Sequence, residues 1–91
     1  MIFKDLDEHL AFAVEFHGKK LRLIVYEDGV EKVCRKETLK NLKAFIKSGE
    51  NHLFKGRLQL SKIDIDTAVL VKGKLLGTFN SQRFLDWIDD H

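Results

Sequence analysis

Lys36, Lys40, Lys43 and Lys47 recur at spacings of four, three and four residues, so on an α-helix they form one stripe. Like charges at that spacing cost an isolated helix about 0.2–0.5 kcal/mol per pair, and an anionic partner relieves that cost. If the helix starts after Lys36, the stripe shortens to three. Arg35, Lys55 and Arg57, together with Lys32, enlarge the basic surface if their strands flank the helix, and phosphate backbones are drawn to such surfaces by counterion release. A solvated helix face would show the same stripe, because charge runs on helices usually serve solubility. No nucleic-acid motif accompanies the lysines. Gly73-Lys74-Leu75-Leu76-Gly77 is not the GxxG loop of a KH domain, and Phe54-Lys55-Gly56-Arg57-Leu58 lacks the aromatic pattern of an RRM strand.

A second use for the same lysines comes from the acids. Asp86, Asp89 and Asp90 crowd the end of an expected last helix, where the dipole disfavours negative charge. The lysine stripe could compensate them within the chain or across a dimer, and Asp5, Asp7 and Glu8 offer an equally good counter-patch. The net charge of +2 conceals this segregation. Residues 1–16 hold one Lys against four acids, residues 17–62 twelve Lys or Arg against five acids, and residues 63–91 three against five.

Other chemistry is thinly represented. Asp64 and Asp66 point the same way if they share a strand and could share a Mg²⁺, although a turn is the usual home of such residues. Cys34, the single cysteine, permits no intrachain disulfide. It reads most simply as a small buried hydrophobe, with Arg35 and Lys36 the only hint of an activated thiol. His9, His17, His52 and His91 lack metal-ligand spacing. Ser48, Ser61, Ser81, Thr38, Thr67 and Thr78 lack a context that would activate a nucleophile. No catalytic residue, cofactor or metal ligand is therefore assigned.

The elements that must position these groups follow from periodicity. Leu10, Phe12, Val14 and Phe16 alternate as in a half-buried strand, with an N-terminal helix through Leu6, Leu10 and Val14 as the alternative. Leu21–Tyr26 and Val30–Arg35 form a hairpin around Glu27-Asp28-Gly29. Leu39, Leu42, Phe45 and Ile46 then mark a helix over about 37–48, stopped by Ser48-Gly49. Leu53–Ile63 reads as one strand interrupted at Gly56 by a bulge or a close backbone approach, followed by strands Thr67–Lys72 and Lys74–Phe79. Asn80-Ser81 caps a closing helix over about 81–90 with Phe84, Leu85, Trp87 and Ile88 on its apolar side. The aromatic residues fall at core positions of these segments, Phe54 beside Lys55 being the one placed for ligand stacking.

The expected fold is α+β, a single two-layer domain over residues 1–91, in which antiparallel β-meanders pack against two helices in a βββα-βββα order open to a pseudo-repeat. Ninety-one residues, 44% apolar and 33% charged with seven Phe, are enough for one core and exclude a second domain. The acidic start Met1-Ile2-Phe3-Lys4-Asp5 resembles no signal peptide. The apolar runs Leu10–Val14, Leu23–Tyr26 and Ala68–Val71 fall far short of the roughly 20 residues that span a bilayer. A cytoplasmic, non-enzymatic interaction module is expected, acting on a protein partner or as a homodimer through its charged helix face, without a membrane role. Nucleic-acid binding by the lysine stripe is the alternative.

Overall fold

The computed structural model describes residues 1–47, 52–53 (backbone only) and 56–90. Among these residues eight strands and two helices follow in the order β1 (Ile2–Asp5), β2 (Leu10–His17), β3 (Lys20–Glu27), β4 (Val30–Thr38), α1 (Leu39–Lys47), β5 (His52–Leu53), β6 (Leu58–Ile63), β7 (Asp66–Val71), β8 (Lys74–Asn80) and α2 (Ser81–Asp89). They form two four-stranded antiparallel sheets, β1-β2-β3-β4 and β5-β6-β7-β8, each strand beside its chain neighbour. The α+β fold expected from the sequence is observed.

Each half runs ββββα, one strand more than expected. β1 was invisible because four residues with only Phe3 turned inward show no alternation, and a register shift between Ile2 and Lys4 breaks what period remains. β5 is two residues long. The segment read as one strand, Leu53–Ile63, is instead two antiparallel strands, with His52 opposite Ser61 and Leu53 opposite Leu60. Gly56 lies in the connection between them and not at a bulge. A Cβ there would lie 3.0 Å from Arg35 Nη1, the far end of a flexible side chain that can move aside.

Both hairpins that precede a helix are built alike. Asp28 and Gly29 turn at φ of 52° and 81°, Lys72 and Gly73 at 52° and 79°. Two consecutive left-handed residues suit the right-handed twist of the flanking strands. In each hairpin a register shift falls close to the turn, between Val25 and Tyr26 and between Val69 and Leu70. The recurrence is one of element order and turn geometry.

One apolar cluster draws on both sheets and both helices, including Phe12, Leu23, Leu42, Leu60, Phe79 and Phe84, each at most 1% exposed. Its densest part is aromatic. Phe3 and Phe12 of the first sheet, Phe79 of the second and Phe84 of α2 meet with ring centroids 4.8–5.9 Å apart, close enough for edge and stacked packing to add to simple burial. Because these rings come from residues far apart in the chain, they tie the two halves together. Among the described residues no helix is long and apolar enough to cross a membrane.

Candidate binding surfaces on the first helix and the outer sheet face

Helix α1 begins where Thr38 leaves the sheet. Thr38 Oγ1 accepts the Asn41 N–H at 3.1 Å, and Glu37 Oε1 accepts the Thr38 N–H at 2.7 Å and Asn41 Nδ2 at 3.1 Å. The Asn41 N–H bond satisfies one of the backbone donors that the first helical turn leaves open. The spacing of Leu42, Phe45 and Ile46 then buries one side and leaves Lys40, Ala44 and Lys47 exposed as a ridge. The expected stop at Ser48-Gly49 lies outside the described residues.

The structure divides the four lysines among three settings. Lys36 belongs to β4, paired across the sheet with Arg22, because the strand continues to Thr38. The stripe is thus shortened to three. Lys43 reaches across to α2 and forms an ion pair with Asp89. The hydrogen bond from Lys43, with the charges of Lys43 and Lys47, holds the Asp89 carboxyl below its ordinary range. Part of the acidic end of α2 is therefore compensated within the chain. Lys40 and Lys47 make no ion pair among the described residues.

Lys40 has a neighbour that the sequence did not reveal. Leu39 N–H donates to the Lys19 carbonyl at 3.0 Å, and Lys19, Leu39, Lys40 and Lys43 line one open hollow of about 680 Å³. Only the docking of α1 against the β2–β3 turn brings Lys19 there. Arg35 and Arg57 are brought together elsewhere, in a hollow of about 330 Å³ between β4 and the start of β6. That hollow also holds Lys32 and Glu31, and Lys32 bonds Glu27 at 2.7 Å. Lys55 and Phe54 lie outside the described residues.

The outer face of the first sheet carries a different surface. Ala11 and Ala13 sit opposite Tyr26 and Ile24, and these two small residues leave an open hollow of about 610 Å³ whose floor includes Ile2, Ala13 and Tyr26. Its rim bears Asp5, Asp7, Glu8 and Asp28, and its only basic side chain is His9. Asp7 Oδ1 accepts the N–H groups of His9 and Leu10 at 2.7 and 2.8 Å, and His9 Nδ1 lies 2.7 Å from Asp28 Oδ1. Asp5 and Glu8 are exposed. Farther along this face Arg22 bridges Glu15 at 2.8 Å and Glu31 at 2.6 Å. Hydrogen bonds to Cys34 and Glu31 hold its guanidinium even more firmly in the charged form.

The remaining sequence candidates stay apart. Cys34, expected to be a buried hydrophobe, is exposed, because it lies on the outer side of β4, the edge strand of its sheet, whereas Ile24 opposite it on the inner strand β3 is fully buried. Asp64 occupies a turn at φ 58° and Asp66 begins β7. Thr67 and Ser81 hydroxyls bond each other at 2.7 Å. Among the described residues no three His, Cys, Asp or Glu side chains gather as metal ligands would. His52 and His91 have no described side chain.

No family model, curated protein or solved structure matches this chain.

Proposed function

We propose that this protein is a small non-enzymatic interaction module that engages an acidic protein surface through the exposed ridge of α1. The supporting observation is the division of labour among the helix lysines. Lys43 is engaged by Asp89, while Lys40 and Lys47 face solvent, with Lys19 beside Lys40. Glu37 bonds the Thr38 N–H and Asn41 Nδ2 at the start of α1 and so offsets the positive end of the helix dipole, which leaves the Lys40 and Lys47 ammonium groups as the charge offered to a partner.

A protein partner is favoured over a nucleic acid because the basic groups do not line up as a backbone track. Lys36 is on the sheet, Lys43 is paired, and Arg35 and Arg57 occupy a separate hollow shared with Glu31. The test is a fluorescence-anisotropy titration with a polyglutamate peptide and with mixed-sequence DNA and RNA, at low and near-physiological salt. Polyglutamate should bind in a salt-sensitive manner, weakened roughly tenfold by Lys19→Glu, Lys40→Glu and Lys47→Glu combined. Nucleic acid bound at near-physiological salt and lost in the triple variant would replace this reading with a nucleic-acid one. Absence of binding, or binding that the triple variant leaves unchanged, would overturn it.

A further inference from the structure

We infer that the acid-rimmed hollow on the outer face of the first sheet is the docking site for the α1 ridge of a second copy of this chain. This rests on the α1 ridge being a binding surface and names its acceptor. The hollow opens on the outer face of the sheet, beside Ala13 and Ile24, which are themselves only 1% and 0% exposed. The apolar part of its lining is Ile2, 58% exposed, with the half-buried Ala11 and Tyr26. Among the described residues its rim carries four acids and no Lys or Arg, and the Met1 ammonium, also in the lining, is held by the Val14 carbonyl at 3.0 Å.

The ridge supplies the complement. Lys40 and Lys47 are seven residues apart, about 10 Å along a helix, with the small Ala44 exposed between them. A ridge with a low centre and a cation at each end can lay its backbone near the apolar part of the lining while its ammonium groups reach carboxylates at the rim. Of the rim acids, Asp7 holds its own turn and Asp28 bonds His9, which leaves Asp5 and Glu8 as the exposed charges to meet Lys40 and Lys47. The arrangement also accounts for the charge segregation, with an acidic N-terminal segment and a basic middle in one chain of nearly balanced charge. Opposed patches steer association and fix register more than they add affinity.

Ridge and hollow are different surfaces, so the contact is head-to-tail, and each added copy leaves one of each exposed unless a ring closes. Sedimentation velocity and light scattering from micromolar to millimolar chain at low salt should show the average mass rising with concentration above the monomer's 10.6 kDa and returning toward it as salt is added. Asp5→Lys with Glu8→Lys should hold the chain monomeric, and so should Lys40→Glu with Lys47→Glu. Mixed in equal amounts, the two double variants should associate again, because each reversed surface now has an opposite partner. A monomer at every concentration would overturn the inference, and so would association insensitive to Asp5→Lys with Glu8→Lys, or a mixture that stays monomeric. If polyglutamate still binds the α1 ridge of a chain that never self-associates, the ridge keeps its role and only this acceptor is wrong.

Discussion

The two helices hold corresponding places, each following a four-stranded meander, yet they differ in everything that faces outward. Each buries three apolar residues, Leu42, Phe45 and Ile46 in α1 and Phe84, Leu85 and Ile88 in α2. Outside, α1 carries Lys40, Lys43 and Lys47 and no acid, whereas α2 carries Asp86 and Asp89 against Arg83. They meet at Lys43 and Asp89. Burial constrains a helix to be apolar on one side and leaves the other side free, so the inner faces converge while the outer ones specialise. The contrast separates residues that hold the fold from residues available for recognition.

The largest effect expected from this contrast lies in the core. Phe84 touches Phe3, Phe12 and Phe79 at ring distances of 4.8–5.9 Å, so Phe84→Ala removes contacts to both sheets at once and should cost about 3–5 kcal/mol. Leu42→Ala, on the same side of α1, should cost about 2–5 kcal/mol and less than its counterpart. Urea midpoints at constant m-value measure both. If Leu42→Ala proves the more damaging, the aromatic cluster is not what joins the halves.

The caps come next. Asn80 Oδ1 accepts the Arg83 N–H at 2.9 Å, and Thr38 Oγ1 accepts the Asn41 N–H at 3.1 Å. Asn80→Ala and Thr38→Ala should each cost about 1 kcal/mol, Asn80 somewhat more. The same urea series reads the difference, and a Thr38→Ala protein as stable as the wild type would show α1 to be held by packing alone.

The smallest effect separates the paired lysine from the exposed ones. Asp89 is held below its ordinary range chiefly by Lys43, so Lys43→Met should raise its pKa while Lys40→Met leaves it in place. A carboxylate with a depressed folded-state pKa contributes stability that is present above the unfolded pKa and lost as pH falls through the folded one. In Lys43→Met that loss should therefore be smaller and confined to higher pH. Carboxyl NMR titration gives the pKa directly. An unchanged Asp89 would mean that the ion pair does not persist in solution, returning Lys43 to the exposed set.

Much of the fold was legible because its signals are local. The Asp28-Gly29 hairpin needs two left-handed residues and shows them in sequence, the 3.6-residue spacing of Leu42, Phe45 and Ile46 marks a helix, and Asn80-Ser81 marks the cap of α2. β1 and β5 were hidden because a strand of two to four residues is defined by its partner and not by its own pattern. Lys36 was left open by the sequence, because its spacing fits the helix stripe as well as a strand running to a Thr cap, and it falls on the strand. Cys34 was expected inside, yet which face of β4 points inward depends on register with β3 and on the shift near Tyr26.

Composition and periodicity alone determined the α+β class, the two amphipathic helices, the hairpin turns and the segregation of charge, because each depends on residues within a few positions of one another. Tertiary structure alone decided which lysine Asp89 claims, that Lys19 joins Lys40, that Arg35 and Arg57 form a separate cluster, and that acids from β1 and two turns surround one hollow. Those groupings join residues distant in the chain. Their energies depend on distances that only packing sets.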